Sequence, residues 1–132
     1  MDSLDVAEIT ALYDSVGWSA YTKDPDGLLR GIGNSYMVAI ARGDDGQLLG
    51  LARILSDGET IVYLQDILVT PAAQGQGIGR ALLAALQKNG PQVRQWVLLT
   101  DSEPGQRAFY ESLGFVEVHE QQPPLRAFVK LR

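Results

Sequence analysis

Between a strand-like run that stops at Pro71 and an amphipathic stretch marked by Ile78, Leu82, Leu83 and Leu86 lies the segment Gln74-Gly75-Gln76-Gly77-Ile78-Gly79-Arg80. Three alternate glycines at a strand-to-helix junction constrain this chain more than any other feature. Glycine has no Cβ, so successive backbone N–H groups stand uncovered there, at the positive end of the helix that follows. Such a cradle suits a diphosphate. Arg80 adds a cation beside it. The bland reading of the same residues is a flexible, glycine-rich turn. A Walker A loop is excluded, because no Gly-Lys-Ser/Thr follows. A Rossmann fingerprint fails on three counts. Arg80 takes the third small position, five residues separate Val69 from Gly75, and an antiparallel meander precedes the unit in place of a βαβ start.

The meander is read from three apolar runs, 36–42, 48–55 and 61–69. They are joined at Asp45-Gly46 and Asp57-Gly58, pairs favoured where both central turn residues take positive φ. Upstream, Val6, Ile9, Leu12, Tyr13 and Val16 fall at helical spacing, and a short second helix is expected over 26–32. Downstream come a helix over 77–88 stopped by Asn89-Gly90-Pro91 and a buried strand over 95–100. This strand returns parallel to the meander by a right-handed crossover. A helix over 104–113 follows, with Pro104 in its first turn and Gly114 as its left-handed cap. Final strands are expected over 115–118 and 126–131. The order α-α-β-β-β-α-β-α-β-β is an α+β sheet, antiparallel first and mixed later.

No repeat, linker or low-complexity tract interrupts 132 residues, so a single domain over 1–132 is expected. There is no cysteine, which removes disulfides, thiolate metal sites and acyl-cysteine chemistry. The one histidine, His119, falls after the 115–118 run and reads as a surface residue; no metal site is expected. A net charge of −5 with no Lys/Arg cluster argues against nucleic acid as a partner. No apolar run approaches the ~20 residues that span a bilayer. The start Met1-Asp2-Ser3-Leu4-Asp5 is acidic where a signal peptide would be basic, so a cytoplasmic location and no membrane partner are expected.

With these elements in place, the sequence resembles the GCN5-related N-acetyltransferase superfamily. That family's acetyl-CoA signature, Arg/Gln-x-x-Gly-x-Gly/Ala, is matched by Gln74, Gly77 and Gly79 after a strand of the form Asp66-Ile67-Leu68-Val69-Thr70-Pro71. A second family element, a helix end of the form aromatic-Tyr-x-x-x-Gly-Phe, appears as Phe109-Tyr110-Glu111-Ser112-Leu113-Gly114-Phe115. The likeness in element order runs over 35–132, and the family's usual first strand is missing or very short. The resemblance implies a mostly antiparallel mixed sheet with helices on both faces and a splayed pair of parallel strands. It also implies acetyl-CoA as cosubstrate. Its diphosphate would lie on the amides of Gln74, Gly75, Gln76, Gly77, Ile78, Gly79 and Arg80, and its pantetheine beside Ile67, Leu68 and Val69. A backbone N–H near Leu68 would receive the developing oxyanion.

The same resemblance casts Tyr110 as the general acid that protonates the leaving thiolate, a role that a phenol with an ordinary pKa near ~10 can fill. Its structural alternative is a helix-packing pair with Phe109. The family often carries Asn seven residues before this tyrosine, where this chain has Glu103. The run Tyr63-Leu64-Gln65-Asp66-Ile67 is similar to a strand of polyamine acetyltransferases whose glutamate is here Gln65, which takes no proton. Asp66 is then the remaining carboxylate, either binding substrate through water or fixing the backbone. Strict alternation places it on the face opposite Tyr63 and Gln65. Trp18, Tyr21 and Tyr36 are candidates for the acceptor pocket, each serving equally as core, and Tyr63 and Gln65 are further candidates there.

The leading expectation is therefore an acetyl-CoA-dependent N-acetyltransferase acting directly on a small-molecule or peptide amine. A non-catalytic acyl-CoA-binding module is the alternative; a structural or partner-binding domain leaves the glycine spacing unexplained. The apolar last strand is compatible with a homodimer contact.

Overall fold

The computed structural model describes residues 4–132, so Met1, Asp2 and Ser3 of the acidic start lie outside the described residues. The chain divides into two compact units at Leu98/Leu99.

The first unit opens with α1 (Val6–Ser15). Asp5 accepts from the Glu8 amide at 2.8 Å and Glu8 accepts from the Asp5 amide at 3.1 Å, a reciprocal box that satisfies two otherwise orphaned donors. One helical turn, α2 (Ser19–Thr22), forms ahead of the second expected helix. Next, α3 (Pro25–Gly33) begins with Asp24 as its cap and Pro25 in its first turn.

The meander follows as β1 (Met37–Arg42), β2 (Leu48–Ser56) and β3 (Ile61–Val69). Both connections depart from the expected turn. Gly46 (φ +86°) and Gly58 (φ +83°) are left-handed, but neither Asp45 nor Asp57 is. The first is a turn closed by Gly46 N–H to Gly43 O at 2.9 Å. In the second, Asp57 uses its carboxylate to cap the amides of Glu59 and Thr60. The aspartates thus act through their side chains rather than through positive φ.

After the 3₁₀ turn at Pro71–Ala73, α4 (Ile78–Asn89) carries the chain back to β4 (Gln95–Leu98). The sheet order is β1-β2-β3-β4, antiparallel except for the parallel β3/β4 pair. This is the expected mixed sheet, and helices cover both of its faces. Leu51 and Leu68 face α1 and α3 in a core with Ile9, Leu12, Tyr13, Leu28 and Ile32. On the other face, α4 packs so closely that a Cβ added at Gly50 would lie 3.1 Å from Leu82 Cδ1 and 3.0 Å from the Leu68 carbonyl oxygen.

In the second unit, α5 (Pro104–Glu111) ends at left-handed Gly114 (φ +93°), as its Pro and Gly placement predicts. The two final strands are not present. Residues 115–118 and 126–131 are irregular apart from a 3₁₀ turn at Val118–Glu120. Their apolar alternation is that of a strand, but a strand persists only with a partner ladder, and Pro123 and Pro124 contribute no donor beside it. Phe128 is accordingly 87% exposed and Leu131 86%. Arg107 instead ties this unit together through Glu111, Glu117 and Glu120.

Candidate active site

A single extra residue in β3 sets up the site. Arg53 opposes Asp66, whereas the next residue of β2, Ile54, opposes Leu64, so Gln65 has no partner on β2. This bulge reverses the side-chain alternation behind it. Leu55 opposes Tyr63 on the same side of β2 as Arg53, so Tyr63 and Asp66 share a face. The face inverted by strict alternation is thereby corrected: Tyr63, Gln65 and Asp66 all serve the α1–α3 side. The parallel pairing with β4 also stops here, at Leu64 opposite Leu98, and from there to Val69 β3 is paired with β2 alone.

Asp66 is only 4% exposed, and all its acceptor capacity faces inward. Arg53 Nε donates to Oδ2 at 2.6 Å, the Tyr13 hydroxyl to Oδ2 at 2.9 Å and the Tyr21 hydroxyl to Oδ1 at 2.8 Å. Gln65 Nε2 in turn donates to the Tyr21 oxygen at 2.8 Å. Burial, followed by the Asp66 charge, raises the Tyr13 phenol far above its ordinary range, and burial raises Tyr21 as well. Burial also works against the Arg53 charge. The Asp66 hydrogen bond and charge more than offset it, so the guanidinium is held above its usual pKa. Trp18 packs edge-on to Tyr13 at 5.9 Å and lies 6.3 Å from Tyr21. Tyr36 is exposed and stands over Gly58, away from this group.

Sequence reasoning selected Tyr21, Gln65 and Asp66 but missed Tyr13 and Arg53 as their partners. The one available signal was a charged residue, Arg53, inside the apolar run Leu51-Ala52-Arg53-Ile54-Leu55. A charge there calls for a buried counter-charge on the neighbouring strand.

The open edge of β3 shows which amides face the gap. Thr70 N–H donates to Leu49 O at 2.8 Å, so positions 70 and 49 form a hydrogen-bonded pair. Such pairs recur every second residue in an antiparallel ladder, which makes Leu68 and Leu51 another. Leu68 therefore turns its N–H and C=O toward β2, and the flanking residues Ile67 and Val69 turn theirs to the open side. The Val69 carbonyl confirms this polarity by accepting from Gln74 Nε2 at 2.9 Å.

That Gln74 bond anchors the start of the cradle. Gly75 (φ +81°) and Gly77 (φ +83°) are both left-handed, and a Cβ on either would meet nothing within 4 Å. Gly77 is the cap residue of α4, and no side chain caps that end. The first helical bond is Ala81 N–H to Gly77 O at 3.0 Å. Among the described residues, no backbone or side-chain acceptor takes the amides of Gly75, Gln76, Gly77, Ile78 or Gly79. Together they form a row of unpartnered donors at the head of α4 that suits an anion. Arg80 extends from the first turn of α4 and is exposed.

In the second unit, the Tyr110 ring is 8% exposed and packs edge-on to Phe109 at 5.0 Å and Phe115 at 5.8 Å. Burial, followed by the Asp101 charge, pushes its pKa up to about 12. Among the described residues its hydroxyl makes no hydrogen bond, and no buried polar side-chain atom is left unsatisfied. Glu103 is the exposed cap residue of α5, and His119 is exposed beside Glu117 at 3.5 Å.

Residues 33–117 match the family model of the acetyltransferase (GNAT) domain. The chain belongs to this family, the GCN5-related N-acetyltransferases, whose members transfer acyl groups from acetyl-CoA to amines. It is 35% identical over 124 residues to histone acetyltransferase TAP1 of Glycine max, an alignment that covers 85% of this chain and 52% of that protein. Identity to the chloroplastic GCN5-related N-acetyltransferase 2 of Arabidopsis thaliana is 33%, covering 85% of this chain and 50% of that one. The chain thus spans about half the length of these curated relatives. A GNAT-family acetyltransferase of Streptococcus pneumoniae superposes with a TM-score of 0.83 at 26% identity, over 100% of this chain and 94% of that one. Among the described residues, no helix is long and apolar enough to cross a membrane.

Proposed function

We propose that residues 1–132 act as one acetyl-CoA-dependent N-acetyltransferase domain that moves an acetyl group directly onto the amine of a small molecule or peptide. The carrying observation is the row of uncapped amides from Gly75 to Gly79 at the start of α4. The residues fit the cosubstrate. Two left-handed glycines leave open space where a side chain would otherwise stand, and five amides of the same loop have no acceptor among the described residues.

Acetyl-CoA supplies an acyl carbon activated as a thioester. Gly75, Gln76, Gly77, Ile78 and Gly79 hold its diphosphate through their amides, with the α4 dipole behind them. Gln74 fixes the entry of this loop to the end of β3. The open edge at Ile67 and Val69, on either side of core-buried Leu68, would hold the pantetheine by strand-like hydrogen bonds. The Ile67 amide, nearer the point where β4 leaves β3, receives the charge that develops on the acyl oxygen. A preorganised donor of this kind contributes about 3 kcal/mol. Tyr110 donates a proton to the departing thiolate. Its raised pKa keeps the phenol protonated throughout the physiological range, so the donor is always loaded. Asp66 positions Tyr21 and Gln65 on the acceptor side, with Trp18 and Tyr63 as flanking walls.

The test is thiol release from acetyl-CoA in the presence of polyamines, aminoglycosides, arylalkylamines, amino acids and peptides with free N-termini. Release that requires both protein and amine is the expected result. Binding of acetyl-CoA with no release for any amine would replace the enzyme with a binding module.

A further inference from the structure

Resting on the acetyl-transfer reading, the direction of hydrogen bonds beneath the gap selects the kind of amine. A carboxylate only accepts, so Asp66 fixes the direction of every bond that reaches it. Tyr21 spends its single proton on Asp66 Oδ1, and its oxygen is left to accept from Gln65. Gln65 must therefore present its NH₂ to Tyr21, and its Oε1 is turned the other way. The order runs outward from Arg53 through Asp66 and Tyr21 to Gln65. It ends in a neutral carbonyl acceptor on the first residue past the last β3–β4 pair.

The ionisable groups of the first unit that share this face with Gln65 include Arg53 on β2, Tyr63 and Asp66 on β3, Tyr13 on α1 and Tyr21 on α2. Arg53 is a cation, and the Tyr13 and Tyr21 phenols are held protonated. Both Asp66 oxygens are engaged, Oδ1 by Tyr21 and Oδ2 by Tyr13 and Arg53. Asp66 thus has a partner on each oxygen and turns neither toward an incoming amine, and the neutral Gln65 amide takes no proton.

We infer that the acceptor is a weakly basic primary amine that arrives already neutral, of the class of the α-amino group of a peptide or amino acid, and that Gln65 Oε1 orients it. The amine nitrogen bonds to the acyl carbon and the carbon–sulfur bond breaks. The extra proton on nitrogen passes to water, and the thiolate takes one from Tyr110, which is reloaded from solvent. At pH 7.5 about a third of an α-amine with a pKa near 7.8 is neutral, against roughly one part in a thousand of a lysine amine near 10.4. The stronger nucleophilicity of the more basic amine takes back part of that factor. A preference of at least about tenfold remains.

Two peptides of one sequence test this, one with a free α-amine and a formylated lysine, the other with a formylated α-amine and a free lysine. With saturating acetyl-CoA, kcat/KM at pH 7.5 is expected to favour the α-amine peptide at least tenfold, the part of its roughly 300-fold advantage in neutral fraction that the stronger nucleophilicity of lysine does not take back. Its pH profile should level near its own pKa, while that of the lysine peptide climbs past pH 9. Gln65→Met should raise KM for the α-amine peptide several-fold and leave KM for acetyl-CoA unchanged. Gln65→Glu places a base at the gap and should narrow the preference. Equal use of both peptides, or a lysine profile that levels near neutrality, overturns the inference and leaves acetyl transfer standing. Acetyl-CoA binding without transfer to either peptide overturns it too, while absence of binding removes acetyl transfer first.

Discussion

Removing Arg53 should destabilise the fold far more than its position on a strand would suggest. Its Nε lies 2.6 Å from Asp66 Oδ2, and its Nη1 reaches Gly31 O at 3.2 Å and Ser35 Oγ at 3.3 Å, so one side chain joins β2, β3 and the end of α3. The pair is nearly sealed, with side chains 8% and 3% exposed. Arg53→Met keeps the packing of the aliphatic stem and leaves the buried Asp66 without its cation and with only two phenols as donors. Breaking one side of a buried pair costs about 3–5 kcal/mol, a large share of the ~5–15 kcal/mol that holds a domain together. Urea denaturation of the parent, Arg53→Met, Asp66→Asn and the double variant measures it. The double variant should be more stable than the sum of the single losses implies, by about 2 kcal/mol, because neither charge is then left alone. A loss below about 1 kcal/mol for Arg53→Met, or strict additivity, would refute a sealed ion pair as the organiser of this face.

Other consequences are equally measurable. Tyr110→Phe should lower kcat by about 10²–10⁴-fold and leave the Kd for acetyl-CoA within about twofold, as calorimetry and thiol release report. Tyr110 titrates near 12 when folded and near ~10 when unfolded. Its contribution is fully present below pH 10 and lost as pH climbs toward 12, a fall on the order of 2 kcal/mol in denaturation experiments that Tyr110→Phe should reduce. Gly50→Ala should cost about 1–3 kcal/mol and weaken acetyl-CoA binding, since the new methyl pushes on Leu82 and the Leu68 carbonyl and displaces α4. An unchanged Tm for that variant would show that α4 yields freely.

The glycine junction was legible because its chemistry is local. Positive φ, missing Cβ atoms and a helix start are all encoded within seven residues, and so were the cap at Gly114 and the stop after Asn89. The bulge at Gln65 was not legible, because the adjacent polar pair Gln65-Asp66 reads equally well as one polar residue on each face, and the register belongs to two strands at once. Misreading it hid the alliance of Tyr13, Tyr21, Arg53 and Asp66, which are up to 53 positions apart. Ladder polarity is equally non-local: that Ile67 rather than Leu68 offers its amide follows from Thr70 pairing with Leu49. The run Arg126-Ala127-Phe128-Val129-Lys130-Leu131 shows the opposite failure, a strand pattern without a strand, since pattern is local and pairing is not.

Acetyl-CoA binding stands or falls on the amides at the head of α4. Calorimetry with acetyl-CoA on the parent and on Gly77→Val measures them directly. The substitution adds a branched side chain at φ +83°, where nothing of the protein stands in its way. It should leave a folded protein, apart from about 1–2 kcal/mol of backbone strain, and fill the space meant for the diphosphate. Saturable binding to the parent with none to Gly77→Val is the predicted result. Equal binding to both, or heat from neither, would contradict it.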